Sequence, residues 1–167
     1  MSWEDKEQVK KGNIGELIVR EYLEKKGYIV YEPKTNGSHP FDKIAIKGKN
    51  NMVIVEVKTK ARMNKFNATG FDLRSYKYYK SIRDKYNIPL YCFFVDEQLG
   101  EVYGNKLSIL EENYKDNKGD IYPNTKIVNN IILFSLDKMK TIHILTMHQK
   151  ESIKKHNTRN VKIFCYD

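Results

Sequence analysis

The chain is 167 residues long, the length of one domain, with enough sequence to bury a core. Its 30 Lys and Arg against 21 Asp and Glu leave a formal net charge of +9 scattered along the whole chain, which points to a polyanion, nucleic acid first, with a merely solubilising basic surface as the alternative. Membrane and secreted classes are excluded as expectations: no window has the apolar length of a span, Met1 to Lys6 is too charged for a signal peptide, and Cys92 and Cys165 read as buried free thiols of a cytoplasmic protein.

Residues 4–26 have helical spacing, with Ile14, Leu17, Ile18, Tyr22 and Leu23 on one side. Gly12 and Gly15 fall on that side, where missing side chains let a helix approach a sheet, and Gly27 closes the helix as a C-cap. Glu16 lies at the margin of the stripe, either a solvated helix glutamate or a carboxylate turned toward the end of the sheet. Residues 28–32 read as a short strand and 33–39 as a loop. His39 in that loop is read as a bystander.

The stretch 40–58 carries the densest signal. Pro40-Phe41-Asp42 leads into an alternation through Ile44 and Ile46, a Gly48-Lys49-Asn50-Asn51 turn follows, and 52–58 is a β-branched run expected in the middle of a sheet. Side chains alternate along a strand, so Met52, Ile54, Glu56 and Lys58 share one face and Val53, Val55 and Val57 the other. If the turn closes a hairpin, Asp42 lies across from Glu56, and two carboxylates and a lysine converge at one sheet edge. Such groups are costly to desolvate unless they pair or receive something polar from outside.

Residues 60–70 are aperiodic and basic, and leave the sheet from that edge. They read either as a solvated connection or as a phosphate-holding loop through Lys60, Arg62 and Lys65. Residues 71–86 form a second amphipathic helix that interleaves Tyr76, Tyr78 and Tyr79 with Lys77 and Lys80, readable as nucleic-acid surface or as core tyrosines with lysines outside. Arg74 and Lys77 lie on the same helix. A strand over 90–95 then completes a parallel crossover with 52–58. Beyond Asp96 the expectations are a hairpin over about 100–110, a polar stretch at 111–124, an apolar strand over 126–134, short helices from 135 to about 156, and a closing strand over 161–166.

With Asp on the second strand and Glu-x-Lys on the third, the order helix, three strands, crossover helix, strand resembles the PD-(D/E)xK, or restriction-endonuclease-like, nuclease superfamily. Pro40-Phe41-Asp42, Glu56-Val57-Lys58 and Gly15-Glu16 carry the resemblance, which spans about residues 10–95. The acidic first helix, small size and positive charge are similar to the archaeal and phage type of Holliday junction resolvase. The chain departs from the motif where Phe41 splits the Pro-Asp dipeptide, and the last 70 or so residues lie outside the resemblance. It implies an α/β fold with an αβββαβ core, a central mixed sheet flanked by helices and a C-terminal α+β extension, one domain over 1–167 with its core at about 5–96.

The residue types suit phosphodiester hydrolysis on their own chemistry. That reaction needs negative charge neutralised on nonbridging oxygens and a hydroxide made near neutral pH. A hard cation does both, held by one or two carboxylates with water and phosphate. Asp42 and Glu56 are the expected Mg2+ ligands, with the Val57 carbonyl as a further oxygen and Mn2+ as a substitute ion. Lys58 is placed to orient or deprotonate the attacking water, or to neutralise developing charge. Glu16 assists, as family members with an acidic first helix imply. The expected function is a DNA endonuclease acting on junction, branched or duplex DNA, and a homodimer would suit a two-fold target. A catalytically silent nucleic-acid-binding or assembly protein on the same fold is the alternative, and an RNA-directed nuclease stays open.

Overall fold

Nine residues, Asn51–Thr59, form the strand on which both layers of the molecule pack, because Val53 to Val57 are buried on both faces. The computed structural model describes residues 6–34, 40–63 and 67–157. Helix α1 (Glu7–Lys25) leads to β1 (Ile29–Tyr31), β2 (Lys43–Lys47), β3 (Asn51–Thr59) and β4 (Ala68–Asp72). Helix α2 (Leu73–Tyr86), β5 (Leu90–Asp96), β6 (Glu101–Lys106) and the short α3 (Leu107–Glu111) follow. The C-terminal part holds β7 (Tyr114–Lys115), β8 (Ile121–Tyr122), β9 (Thr125–Val128), β10 (Ile131–Ser135), β11 (Lys140–Ile144) and α4 (Met147–Lys154).

Six strands make the main sheet in the order β1-β2-β3-β5-β6-β11. Only β3 and β5 are parallel, joined by the crossover through α2, and the other neighbours are antiparallel. This is the mixed sheet flanked by helices that the element order predicts. On one face Val53, Val55 and Val57 meet Ile18, Val19 and Leu23 of α1 and Ile153 of α4. On the other, Ile54 and Phe94 meet Tyr79 of α2, Leu107 and Leu110 of α3, and Phe71 and Phe134 of a second sheet, β4-β10-β9.

The structure corrects several local expectations. Leu17 is exposed, and Val19 takes its place in the buried stripe of α1. Of the two glycines, only Gly15 meets the sheet: a Cβ there would lie 1.8 Å from Thr59 Oγ1, whereas one on Gly12 has no neighbour within 4 Å. The run 126–134 is two strands, β9 and β10, because Asn129 and Asn130 both adopt left-handed backbone (φ 48° and 62°), the conformation of a tight hairpin turn. In the hairpin expected at 100–110, Gly100 (φ 74°) belongs to the β5–β6 turn and residues 107–111 are helical. The short helices expected over 135–156 form as a 3-10 turn at Leu136–Lys138 and as α4, but the residues between them are β11, which pairs with β6. Cys92 is buried and free, while His39, Lys65, Cys165 and the strand expected over 161–166 lie outside the described residues. Among the described residues no helix is long and apolar enough to cross a membrane.

Candidate active site

Register brings the acids together. β2 pairs with β3 so that Lys43 lies opposite Val55, and one step further along the same ladder sets Asp42 opposite Glu56. Asp42 does not continue the ladder; its Oδ2 instead accepts the Val57 N–H at 2.6 Å, which pins the carboxylate at the mouth of the hairpin. Glu56 is 1% exposed. Its Oε1 accepts a hydrogen bond from the Tyr79 hydroxyl at 2.6 Å and lies 2.5 Å from Lys58 Nζ. Its Oε2 is buried with no hydrogen-bond partner among the described residues.

An oxygen left in that state is normally paired in a native protein, because a carboxylate without a partner loses its hydration for nothing. Burial and the charge of Glu56 push Asp42 up from its ordinary 3.8 to about 6, against the Val57 N–H that favours its charged form. Burial also raises Glu56, outweighing Lys58 and Tyr79, which pull it down. For Lys58, burial acts to lower the pKa, but the two carboxylates overcome it and hold the ammonium in its charged form. Burial and the Glu56 carboxylate raise the Tyr79 phenol, so it stays a donor. Two acids that resist ionisation, one with an orphan oxygen, make a cluster that an added cation would relieve.

Among the described residues no three or more His, Cys, Asp and Glu side chains group tightly enough to enclose an ion. The donors at hand are two carboxylates, with the Val57 backbone beside them. That set fits Mg2+, which takes one or two carboxylates and fills the rest of its octahedron with water and phosphate, better than it fits zinc or calcium.

Glu16 stands on the other side of the sheet edge, where its Oε2 accepts from Lys43 Nζ at 3.1 Å. Lys43 is itself 1% exposed and also donates to Glu32 Oε1 at 2.8 Å, while Arg20 reaches Glu32 from outside at 3.4 Å. Burial raises Glu16, and the charge of Asp42 adds to it, so the two carboxylates sense each other across Lys43. Lys43 was not singled out from sequence. The available signal was its place beside Ala45 on the inward face of β2, where a lysine requires acidic partners.

Sequence reading likewise left Tyr79 undecided between core and surface, and the structure makes it both a core ring, stacked edge-on to Phe71, and the donor to Glu56. Removing that hydroxyl strips a buried carboxylate of a short hydrogen bond. Tyr79→Phe is therefore expected to lower stability by about 1–3 kcal/mol in chelator at neutral pH. Parallel urea melts check this, and an unchanged midpoint would show the phenol to be idle.

The basic loop and helix residues fall into two groups. Lys60 Nζ donates to the Gly70 carbonyl at 2.7 Å. Arg62 donates through Nε to Asp96 Oδ2 at 3.0 Å, reaches Glu101 at 3.5 Å and lies over the Tyr103 ring, so it ties the loop to the β5–β6 hairpin. Arg74 and Lys77, in contrast, are exposed on α2. Lys65 lies outside the described residues.

The order of strands, the parallel β3–β5 pair and the helices on both faces define a restriction-endonuclease-like α/β fold. Among solved structures, the chain is similar to Hjc, a Holliday junction resolvase from the archaeal hyperthermophile Archaeoglobus fulgidus, with a TM-score of 0.53 and 13% identity over 76% of this chain and 90% of that one. At that identity the likeness is one of fold. No family model matches the chain, and no curated protein does.

Proposed function

We propose that this protein is a Mg2+-dependent endonuclease of the PD-(D/E)xK type that hydrolyses DNA phosphodiester bonds, with junction or branched DNA as substrate. The observation that carries the reading is the gathering of Asp42, Glu56 and Lys58 at one sheet edge, where Lys58 lies on Glu56 Oε1 and Glu56 Oε2 stays buried with no hydrogen-bond partner among the described residues. Asp42, Glu56 and the Val57 carbonyl would hold the ion, with Mn2+ as a substitute. When bound, it supplies charge neutralisation at the phosphate and a lowered pKa for its water.

The chain's own residues do the rest. The Val57 N–H orients Asp42, and Tyr79 orients Glu56, so neither carboxylate has to be ordered during the reaction. Lys58, held as an ammonium, donates to the attacking water or to a nonbridging oxygen; its charge makes it an orienting and neutralising group rather than a base in the metal-free site. Glu16, released from Lys43, would assist at the water. Arg74 and Lys77 on α2 would grip the backbone, together with Lys60, Arg62 and Lys65. The fold shared with a junction resolvase supports the choice of branched DNA, and a homodimer would set two such sites against a two-fold junction.

The test is cleavage of supercoiled, linear and four-way-junction DNA with Mg2+ or EDTA. Lys58→Ala is expected to slow cleavage by about 10²–10⁴-fold while the protein keeps its circular dichroism spectrum. Cleavage that survives both Lys58→Ala and Asp42→Asn would overturn the site. An absence of cleavage with either Mg2+ or Mn2+ would leave a binding or assembly protein on this fold.

A further inference from the structure

A cleft of about 600 Å3 opens beside the candidate site, between β2, β3 and the C-terminal half of α2. Its floor is apolar, made by Phe41, Ile44 and Ile54 from the sheet side and Ile82 from the helix. Phe41 is the chain neighbour of Asp42, and Ile54 shares a strand face with Glu56 two residues on. One strand repeat, about 7 Å, therefore separates the floor from the acids. Tyr78 and Tyr86 stand at the walls, 49% and 57% exposed. The Tyr78 ring lies against Tyr79, with centroids 6.3 Å apart, and Tyr79 is the donor to Glu56.

Among the described residues, Lys85 is the one charged residue lining the cleft, and the other exposed charges along α2 are basic except for Asp84, which pairs with Arg83. The Lys85 Nζ lies 5.0 Å from the centre of the Tyr86 ring, and Arg74, Lys77 and Lys80 are exposed along the same helix. A second copy docked on this face would bring those cations against one another. An occupant that is flat and apolar on its faces but carries negative charge on its tether meets no such opposition. A nucleobase on its phosphate chain has that chemistry: every base has a face that stacks on an aromatic ring, and the basic rim holds the strand.

We propose that this cleft receives one unpaired nucleobase of the bound strand, stacked on Tyr78 or Tyr86. That the base adjoins a phosphate destined for cleavage rests on the nuclease reading above. The interleaved run of tyrosines and lysines on α2 thus divides its labour. Tyr79 faces inward and orients a carboxylate, whereas the exposed Tyr78, preceded by Lys77 and followed two residues on by Lys80, faces the strand. Branched or forked DNA is favoured because its unpaired base enters without being pulled from a stack, which in a continuous duplex costs a few kcal/mol.

Binding in EDTA separates this from catalysis. The probes are a forked duplex with 2-aminopurine at each position near the branch, the same fork with an abasic site there, and a continuous duplex. The expected result is a fluorescence change at one position. Tyr78→Ala, Tyr86→Ala or both are expected to weaken fork binding by about 5- to 150-fold, with duplex affinity unchanged. The abasic fork should bind the parent protein as weakly as the intact fork binds the tyrosine variant, and combining the two should add no further loss. Equal losses on fork and duplex, or an abasic fork that binds like the intact one, would overturn the proposal. So would conversion of a dimer to a monomer by Tyr78→Ala in sedimentation velocity, which would make the cleft a face for a second copy. If the nuclease reading alone fails, cleavage is absent with Mg2+ and Mn2+ while the base-dependent binding persists.

Discussion

Asp42→Asn is expected to abolish DNA cleavage and, in chelator near neutral pH, to yield a more stable protein than the parent. Both effects have one cause. The folded parent holds Asp42 at about 6 against an ordinary 3.8, because the group is buried beside Glu56. An acid raised by folding is bound to its proton more tightly in the folded state. The associated stability is therefore fully present below about pH 4 and is lost as pH rises through 6. A shift of roughly two units corresponds to about 3 kcal/mol. Asparagine does not titrate, keeps an oxygen for the Val57 N–H, and removes a like charge from Glu56. Its advantage should open between pH 4 and pH 6 and reach about 1–3 kcal/mol above that, the lower part of the range reflecting a weaker bond from Val57 to a neutral amide. Urea unfolding of both proteins at pH 4 and pH 7.5 in EDTA measures it. Mg2+ should narrow the gap at pH 7.5 by stabilising only the parent, and cleavage should fall by at least about 10²-fold in the variant. Parallel pH profiles for the two proteins would show that Asp42 carries no such strain.

Gly15→Ala should destabilise the protein by about 1–3 kcal/mol, although the helix propensity of alanine alone would predict a gain of about 1 kcal/mol. The contact decides the sign. The new Cβ would lie 1.8 Å from Thr59 Oγ1 and 3.1 Å from Thr59 Cβ, and a β-branched side chain on a central strand cannot swing away as a lysine tip can. α1 has to lift from the sheet, and Glu16, the next residue, lifts with it from Lys43. Thr59→Ala supplies the control. The Thr59 hydroxyl is buried with no partner among the described residues, so its removal alone should be close to neutral. In the double variant the loss should shrink, with a coupling energy on the order of 1 kcal/mol. Additive losses would mean that α1 does not rest on Thr59.

The alternation Ile54, Glu56, Lys58 against Val53, Val55, Val57 and the turn at Gly48 were enough to bring Asp42 and Glu56 face to face from the letters alone. Both signals are local: a strand repeats every two residues, and a short turn leaves one register that keeps the apolar set inside. The parallel crossover and the helix-flanked mixed sheet followed from the same counting. The Asn129-Asn130 turn is local too, and its left-handed preference was there to be read in the run 126–134.

Partners far apart in sequence were decided only by the packed layers. Lys43 between Glu16 and Glu32, Tyr79 on Glu56, and Arg62 on Asp96 each join residues whose meeting depends on which face of one element covers which strand of another. What drives those pairings is desolvation. A lysine 1% exposed or a carboxylate sealed under a helix must find its counter-group where the layers close, and no periodicity along the chain records where that is. The sequence by itself determined which acids share an edge; the tertiary structure determined which of their oxygens are satisfied, and left Glu56 Oε2 without a partner among the described residues.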